Sequence, residues 1–187
     1  EIDLELAPGT LVAIVGENGA GKTTLANILL GLLEPTQGRF LVNGREVAAA
    51  AWRQRTSGAF QDFMKPRFTV REAVGIGDPP RIDDRQAVER AVVGESADFI
   101  ASLPAGLDTS LAPRVGTDLS HGQWQLVALA RSRMRQDPLL LVLDEPTSAL
   151  DAHAEFELFG SFAETARQAA ADRGAISIMI SHRYSAA

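Results

Sequence analysis

Residues Gly16–Thr23 read GENGAGKT, the spacing G-x-x-x-x-G-K-[ST]. They stand between an apolar run ending in glycine, TLVAIVG, and a run with apolar residues at helical spacing, LANILLGLL. Strand, glycine loop and helix in that order make a cradle for phosphate. Glycines let successive backbone N–H groups turn inward at the positive end of a helix, where anions bind. Gly16, Glu17, Asn18, Gly19, Ala20, Gly21, Lys22, Thr23 and Thr24 form the candidate phosphate-binding set. Within it Lys22 reaches the β- and γ-phosphates as a point charge, and the Thr23 hydroxyl is a ligand for Mg²⁺. A glycine-rich turn that matched by chance would lack the strand–loop–helix context. The set therefore marks a nucleotide site.

A second group lies in LLLVLDEP, where an apolar strand ends in two carboxylates. Asp144 is placed to hold Mg²⁺ directly or through water. Glu145 beside it can polarise an attacking water as general base. Alone, an acidic strand end is as readily an ordinary salt bridge; beside a phosphate loop the metal-and-base reading prevails. A third stretch, DLSHGQWQ at 118–125, puts His121 in a polar turn ahead of the helical run QLVALARSRM. An imidazole there is a metal ligand, a base, or a substitution in a loop that wants glycine. With three His, no Cys and no close His spacing, a structural zinc site has little support.

These groups need a frame. RFLVNG and SGAFQ read as short strands bounded by turn residues. From Thr69 to Ser102 the pattern is helical, interrupted by the breaker DPP. A loop, PAGLDTSLAPRVGTD, leads to the helix beginning near Ser120. AHAEFELFGSFAETARQAAADRG is a long helix and AISIMISH another buried strand. Strands separated by helices predict a mostly parallel α/β sheet, into which the helical stretch of about 69–120 is inserted. There is no internal repeat, and AAAA at Ala48–Ala51 is the one low-complexity run.

The 187 residues, 45% hydrophobic and 22% charged, suffice for one domain with a sizeable core. A net charge of -6 argues against a nucleic-acid partner, which a basic patch would mark. No cysteine is present, excluding disulfide and thiolate–metal frameworks. No apolar stretch approaches the roughly 20 residues that span a bilayer, and no signal peptide is visible. The chain opens inside a strand-like run, IDLEL, without Met, and stops after SHRYSAA; it reads as a piece of a longer protein, incomplete at both ends.

Taken in order, GENGAGKT, FQDF, LSHGQ, LLLVLDEP, SALD and ISHR resemble the motif set of the nucleotide-binding domain of ATP-binding cassette (ABC) transporters. The resemblance covers essentially the whole chain. FQDFMKPRFTVREAVGIGD and GQWQLVALAR are most similar to the exporter branch, in which the cassette follows a membrane domain in one polypeptide. It implies an α/β P-loop NTPase fold: a mostly parallel sheet flanked by helices, with an inserted α-helical subdomain. It also implies a single cassette over residues 1–187, ATP and Mg²⁺ as cofactors, and a place at the cytoplasmic face of the cell membrane as the cytosolic domain of a membrane protein.

Residue roles follow from the resemblance. Gln61 matches the Q-loop glutamine, which touches Mg²⁺ or the attacking water and senses the membrane domain. His182 matches the switch histidine on the γ-phosphate, and Asp151 in SALD matches the D-loop that crosses between two cassettes. The catalytic set is then Glu145, His182 and Gln61, and the metal set Thr23, Gln61 and Asp144. Ser120, His121, Gly122 and Gln123 fall on the signature loop, usually LSGGQ, which docks in trans on the partner cassette's nucleotide. The adenine-stacking aromatic of the family would lie before residue 1.

Two positions depart from the pattern: His121 replaces a glycine, and Leu126 replaces the usual basic residue. A side chain at 121 would crowd the approach of backbone to phosphate, or require a backbone angle that only glycine takes cheaply. Because the loop acts in trans, the effect would fall on the partner's site. An intact Glu145 beside an altered signature favours the hydrolysing half of a heterodimer over a homodimer that tolerates His121. The function expected is ATP-driven cassette dimerisation and hydrolysis coupled to export across a membrane. The alternatives are a regulatory or degenerate cassette with little turnover, or a soluble ABC-class ATPase of DNA repair or translation. The repair type needs a long coiled-coil insertion between the phosphate motifs, and none is present.

Overall fold

A computed structural model describes residues 2–114, 116–146 and 152–181. In chain order the strands are β1 Leu11–Val15, β2 Leu41–Val42, β3 Arg45–Glu46, β4 Thr56–Ala59, β5 Leu140–Asp144 and β6 Ile176–Ser181. The helices are α1 Lys22–Leu29, α2 Ala49–Arg53, α3 Val70–Gly75, α4 Arg85–Ala91, α5 Glu95–Ala101, α6 His121–Ser132 and α7 Ala152–Arg173. The chain divides into two compact units. One comprises Glu1–Gly58, Asp137–Glu145 and Glu157–Ala187, the other Ala59–Gln136 and Pro146–Phe156.

The first unit carries a sheet in the order β1-β6-β5-β4. β1 and β5 both pair in parallel with β6, which is how strands joined by helical crossovers pair. The apolar runs of β5 and β6 bury Val142, Leu143, Ile178, Met179 and Ile180. β1 departs from the buried strand its sequence suggests. It is outermost among the described strands of this sheet, and Leu11 and Val15 are exposed. With one lateral neighbour, a continuous apolar pattern does not become continuous burial.

RFLVNG is likewise only partly a strand. Asn43 and Gly44, at φ 51° and 72°, turn the chain from β2 into antiparallel β3 as a tight hairpin. The alanine run enters α2, which buries Trp52, whose Nε1–H donates to the Leu29 carbonyl at 2.7 Å. α7 buries Phe162, Ala166 and Ala169, spaced as one stripe of a helix.

The second unit has its own apolar core, with Val70, Val74, Val88, Ile100, Trp124, Val127 and Met134 at its centre. Two of its short helices, α3 and α4, start where a side chain satisfies their open amides. Thr69 and Glu72 form a capping box on α3, and the Asp84 carboxylate accepts the Ala87 N–H on α4. Hydrogen bonds from the Thr69 backbone N–H and hydroxyl hold the Glu72 carboxyl below its ordinary range.

Arg131 is set into this unit. Its Nε donates to the Ala73 carbonyl at 2.8 Å and its Nη1 to the Met64 carbonyl at 3.1 Å. Its Nη2 is buried without a hydrogen-bond partner among the described residues. Burial pushes its pKa down to about 10, which still leaves it charged at neutral pH. Arg131→Met removes that desolvation cost but strands two backbone carbonyls. The bonds should outweigh the relief, lowering stability by about 1–3 kcal/mol. For a chain of this length that is a fall of ~3–10 °C in the midpoint of thermal unfolding followed by circular dichroism. A raised midpoint would mean that desolvation dominates.

Candidate functional site

The three parallel strands end level with one another. The register sets Val15 beside Ser181 and Asp144 beside Ile180. The loop that begins at Gly16 and the pair Asp144–Glu145 therefore leave the sheet from the same edge. It is the carboxyl edge, where open α/β sheets bind ligands.

In the loop, Gly19 and Gly21 have φ of 82° and 88°, and a Cβ at either would meet nothing within 4 Å. Glycine is required there by the backbone angle, not by space. Gly21 is the N-cap of α1, and no side chain caps that helix. The amides of its first turn, with the positive end of the helix dipole, are thus left for an anion. Lys22 Nζ donates to the carbonyls of Gly16 at 2.8 Å and Glu17 at 3.0 Å, which holds the ammonium over the loop.

Thr23 Oγ1 donates to Asp144 Oδ2 at 2.6 Å, joining residues 121 positions apart. Asp144 is only 2% exposed. A carboxylate removed from water needs donors or a cation, and here a hydroxyl lies against it. Two hard oxygens side by side suit Mg²⁺, whose remaining positions water and phosphate oxygens would fill. The donor set fits a nucleotide with its metal: cationic lysine and helix terminus for phosphate, oxygens for the cation.

Glu145 has φ of 50°, a left-handed conformation rare outside glycine and costing on the order of 1–3 kcal/mol. Its N–H still donates to the Ile180 carbonyl at 3.0 Å. The backbone thus stays on the sheet ladder while the chain turns sharply at the carboxylate. Nothing in LLLVLDEP announces that conformation.

In the second unit, Gln61 is exposed just after β4. Ser120 is the N-cap of α6 in a capping box: its hydroxyl accepts the Gln123 N–H at 3.3 Å, and Gln123 Oε1 accepts the Ser120 N–H at 2.8 Å. A hydroxyl that accepts this bond retains its own proton to donate elsewhere. Gly122 lies half-buried on the first turn of the same helix. His121 is the first residue of α6 and has ordinary helical φ, so the position does not demand glycine's backbone freedom. That part of the expectation is corrected: whatever His121 costs, it costs through its side chain. The ring stacks on Phe63 with centroids 5.2 Å apart and planes at 30°. Asp151 and His182 lie outside the described residues.

One residue of the neighbourhood carried no role in the sequence reading. Gln125 is buried, and its Nε2 donates to the Pro146 carbonyl at 2.6 Å. α6 thereby grips the backbone one residue beyond Glu145. The available signal was a polar residue on a helical face otherwise buried as Trp124, Ala128 and Leu129. Gln125→Leu keeps the volume and removes the donor. If the site hydrolyses a nucleotide with Glu145 as a reacting group, turnover should fall up to about tenfold with nucleotide affinity little changed, as for a small misplacement of that group. Steady-state kinetics checks this, and an unchanged kcat would dismiss the grip.

A phosphate loop at the carboxyl edge of a parallel sheet, with an acidic strand end hydrogen-bonded to its threonine, defines a P-loop nucleotide-binding fold. The ABC transporter family model matches residues 1–148. The chain belongs to the ABC transporter family, and membership implies nucleotide binding.

Among relatives, the subtilin transport ATP-binding protein SpaT of Bacillus subtilis is 38% identical, over 100% of this chain and 30% of that protein. The ABC multidrug transporter mdr2 of Aspergillus fumigatus is 39% identical over 83% of this chain and 20% of its own. The mycobactin import ATP-binding/permease protein IrtB of Mycobacterium tuberculosis is 38% identical over 95% and 30%. A solved bacterial Atm1-family ABC exporter with ATP bound superposes with a TM-score of 0.81 at 34% identity, over 97% of this chain and 31% of that one. The chain thus spans less than a third of the length of these relatives. No helix among the described residues is long and apolar enough to cross a membrane.

Proposed function

We propose that this chain is the ATP-hydrolysing motor of an exporter, closing with a second cassette around ATP and driving a membrane domain. The observation that carries the reading is the 2.6 Å bond from Thr23 to Asp144 beside the Lys22 loop. It pairs the oxygens suited to Mg²⁺ next to the cations suited to phosphate. In this reading Lys22 and the amides of residues 16–24 hold the phosphates, and Thr23 and Asp144 hold Mg²⁺, with Gln61 as a third ligand. Bound Mg²⁺ neutralises charge developing on the phosphate oxygens. Glu145 takes a proton from the attacking water, while His182 contacts the γ-phosphate.

The helical stretch of about 69–120 serves as the inserted subdomain, and Asp151 as the residue crossing to the partner. Ser120, Gly122 and Gln123 complete the partner's site, which the His121 imidazole weakens. Intact Glu145 with altered signature supports a heterodimer, the second cassette supplying LSGGQ. The motor would then work at the cytoplasmic face of the cell membrane.

Full-length protein in lipid vesicles, supplied with ATP and Mg²⁺, tests this. Mg²⁺-dependent phosphate release should accompany solute movement out of the compartment that holds the cassettes. Movement in the opposite direction would favour import, the role in the name of the IrtB relative. Phosphate release indifferent to Mg²⁺ would sink the motor reading.

A further inference from the structure

The residue that breaks the signature pattern has acquired a contact of its own. His121 stacks on Phe63, two positions beyond Gln61, at 5.2 Å and 30°. Lys65 Nζ lies 5.8 Å from the centre of the same Phe63 ring. Arg67, in the same segment, faces Asp118 at 3.6 Å, just ahead of the signature turn. Phe63 is itself packed against the apolar core that holds Trp124 and Val127 of α6. All of these residues belong to one compact unit.

The links are unequal. Arg67 and Asp118 are both well exposed, 46% and 85%, and such a pair contributes little once salt screens it. A ring stack on a half-buried phenylalanine is less screened by solvent than an exposed ion pair and is the stronger tie. Glycine at 121 would have no ring to stack.

We propose that His121 is a positioning residue, a clasp that couples the segment carrying Gln61 to the signature turn Ser120–Gln123 within one chain. The proposal rests on the nucleotide-site reading above and adds to it. His121 then acts twice: its side chain burdens the partner's nucleotide in trans, and its ring holds Gln61's segment in cis. The substitution is a gained contact as well as a lost glycine. When the Gln61 segment shifts, the signature turn is drawn with it, so the state of one site is passed to the other through a single ring pair.

The test is a double-mutant cycle in the full-length protein, using Phe63→Leu with His121, His121→Gly and His121→Phe. In the parent, Phe63→Leu should lower kcat by about two- to tenfold, the range an aromatic pair supports. The KM for ATP should stay within about twofold, because ATP is held by the Lys22 loop. In the His121→Gly background the same change should have less than about 1.5-fold effect. His121→Phe should restore the sensitivity. Any effect of glycine on the partner's site cancels in the cycle.

Amide hydrogen exchange supplies a readout free of catalysis. Exchange over residues 62–67 should rise severalfold in His121→Gly and return to the parent rate in His121→Phe. Equal effects of Phe63→Leu in both backgrounds, or unchanged exchange over 62–67, would overturn the clasp. Failure of the nucleotide reading looks different: ATP binding would survive Lys22→Ala whatever stands at position 121.

Discussion

Glu145→Gln is expected to lower kcat at least ~100-fold while leaving ATP bound. General-base catalysis contributes on the order of 10²–10⁴, and the amide is isosteric but cannot accept the proton from water. The backbone should not change, since glutamine meets the same left-handed conformation at φ 50° and the same bond from its N–H to the Ile180 carbonyl. What is lost is therefore chemistry, not fold. With the phosphates still held by Lys22 and the helix terminus, the nucleotide should persist unhydrolysed, and in the proposed motor the two cassettes would stay closed on it. Single-turnover kinetics with retained radiolabelled ATP reads both consequences. A regulatory cassette that binds ATP without turnover predicts another result, kcat already negligible and unmoved by the change. Residual turnover near the parent rate would show that Glu145 is not the base.

Lys22→Ala is expected to weaken ATP binding by ~100-fold or more. The ammonium is a charge-assisted donor to phosphate, worth about 1.5–3 kcal/mol for each bond it makes, and ATP offers more than one oxygen to it. The two bonds it gives to the Gly16 and Glu17 carbonyls are lost as well, so the loop is less organised before the nucleotide arrives. Arginine should not rescue: its planar fork does not replace a compact ammonium drawn in over the loop. Titration with a fluorescent ATP analogue separates this variant from Glu145→Gln, which should bind as the parent does. If Lys22→Ala bound ATP as tightly as the parent, the loop would not be the phosphate site.

The two changes mark the two halves of the site, and those halves differ in how far sequence exposes them. The loop is legible because its chemistry is written in consecutive residues. Gly19 and Gly21 permit the positive φ they adopt, and Lys22 follows at once as the first residue of α1. Ser120 and Gln123 are similarly local, three positions apart, the spacing of a capping box. The strand running into Asp144 is legible from its apolar run. β1 shows the limit of that rule, since an equally apolar run ended outermost among the described strands of its sheet. Burial depends on what lies alongside, and a single strand does not carry that information.

By itself, then, the sequence determined the phosphate loop, the acidic strand end and, through the order of six motifs, the family. The loop and the strand end each depend on residues within about one turn or strand of one another, where neighbouring dihedral angles and hydrogen bonds decide the outcome; the family depends on the order of whole motifs along the chain. The tertiary structure alone decided that Thr23 meets Asp144 across 121 positions. It alone decided that Glu145 turns left-handed, that Gln125 reaches Pro146, and that His121 finds Phe63. These follow from the level ends of parallel strands and the packing of helices around a core, each the sum of many weak contacts that no local spacing encodes.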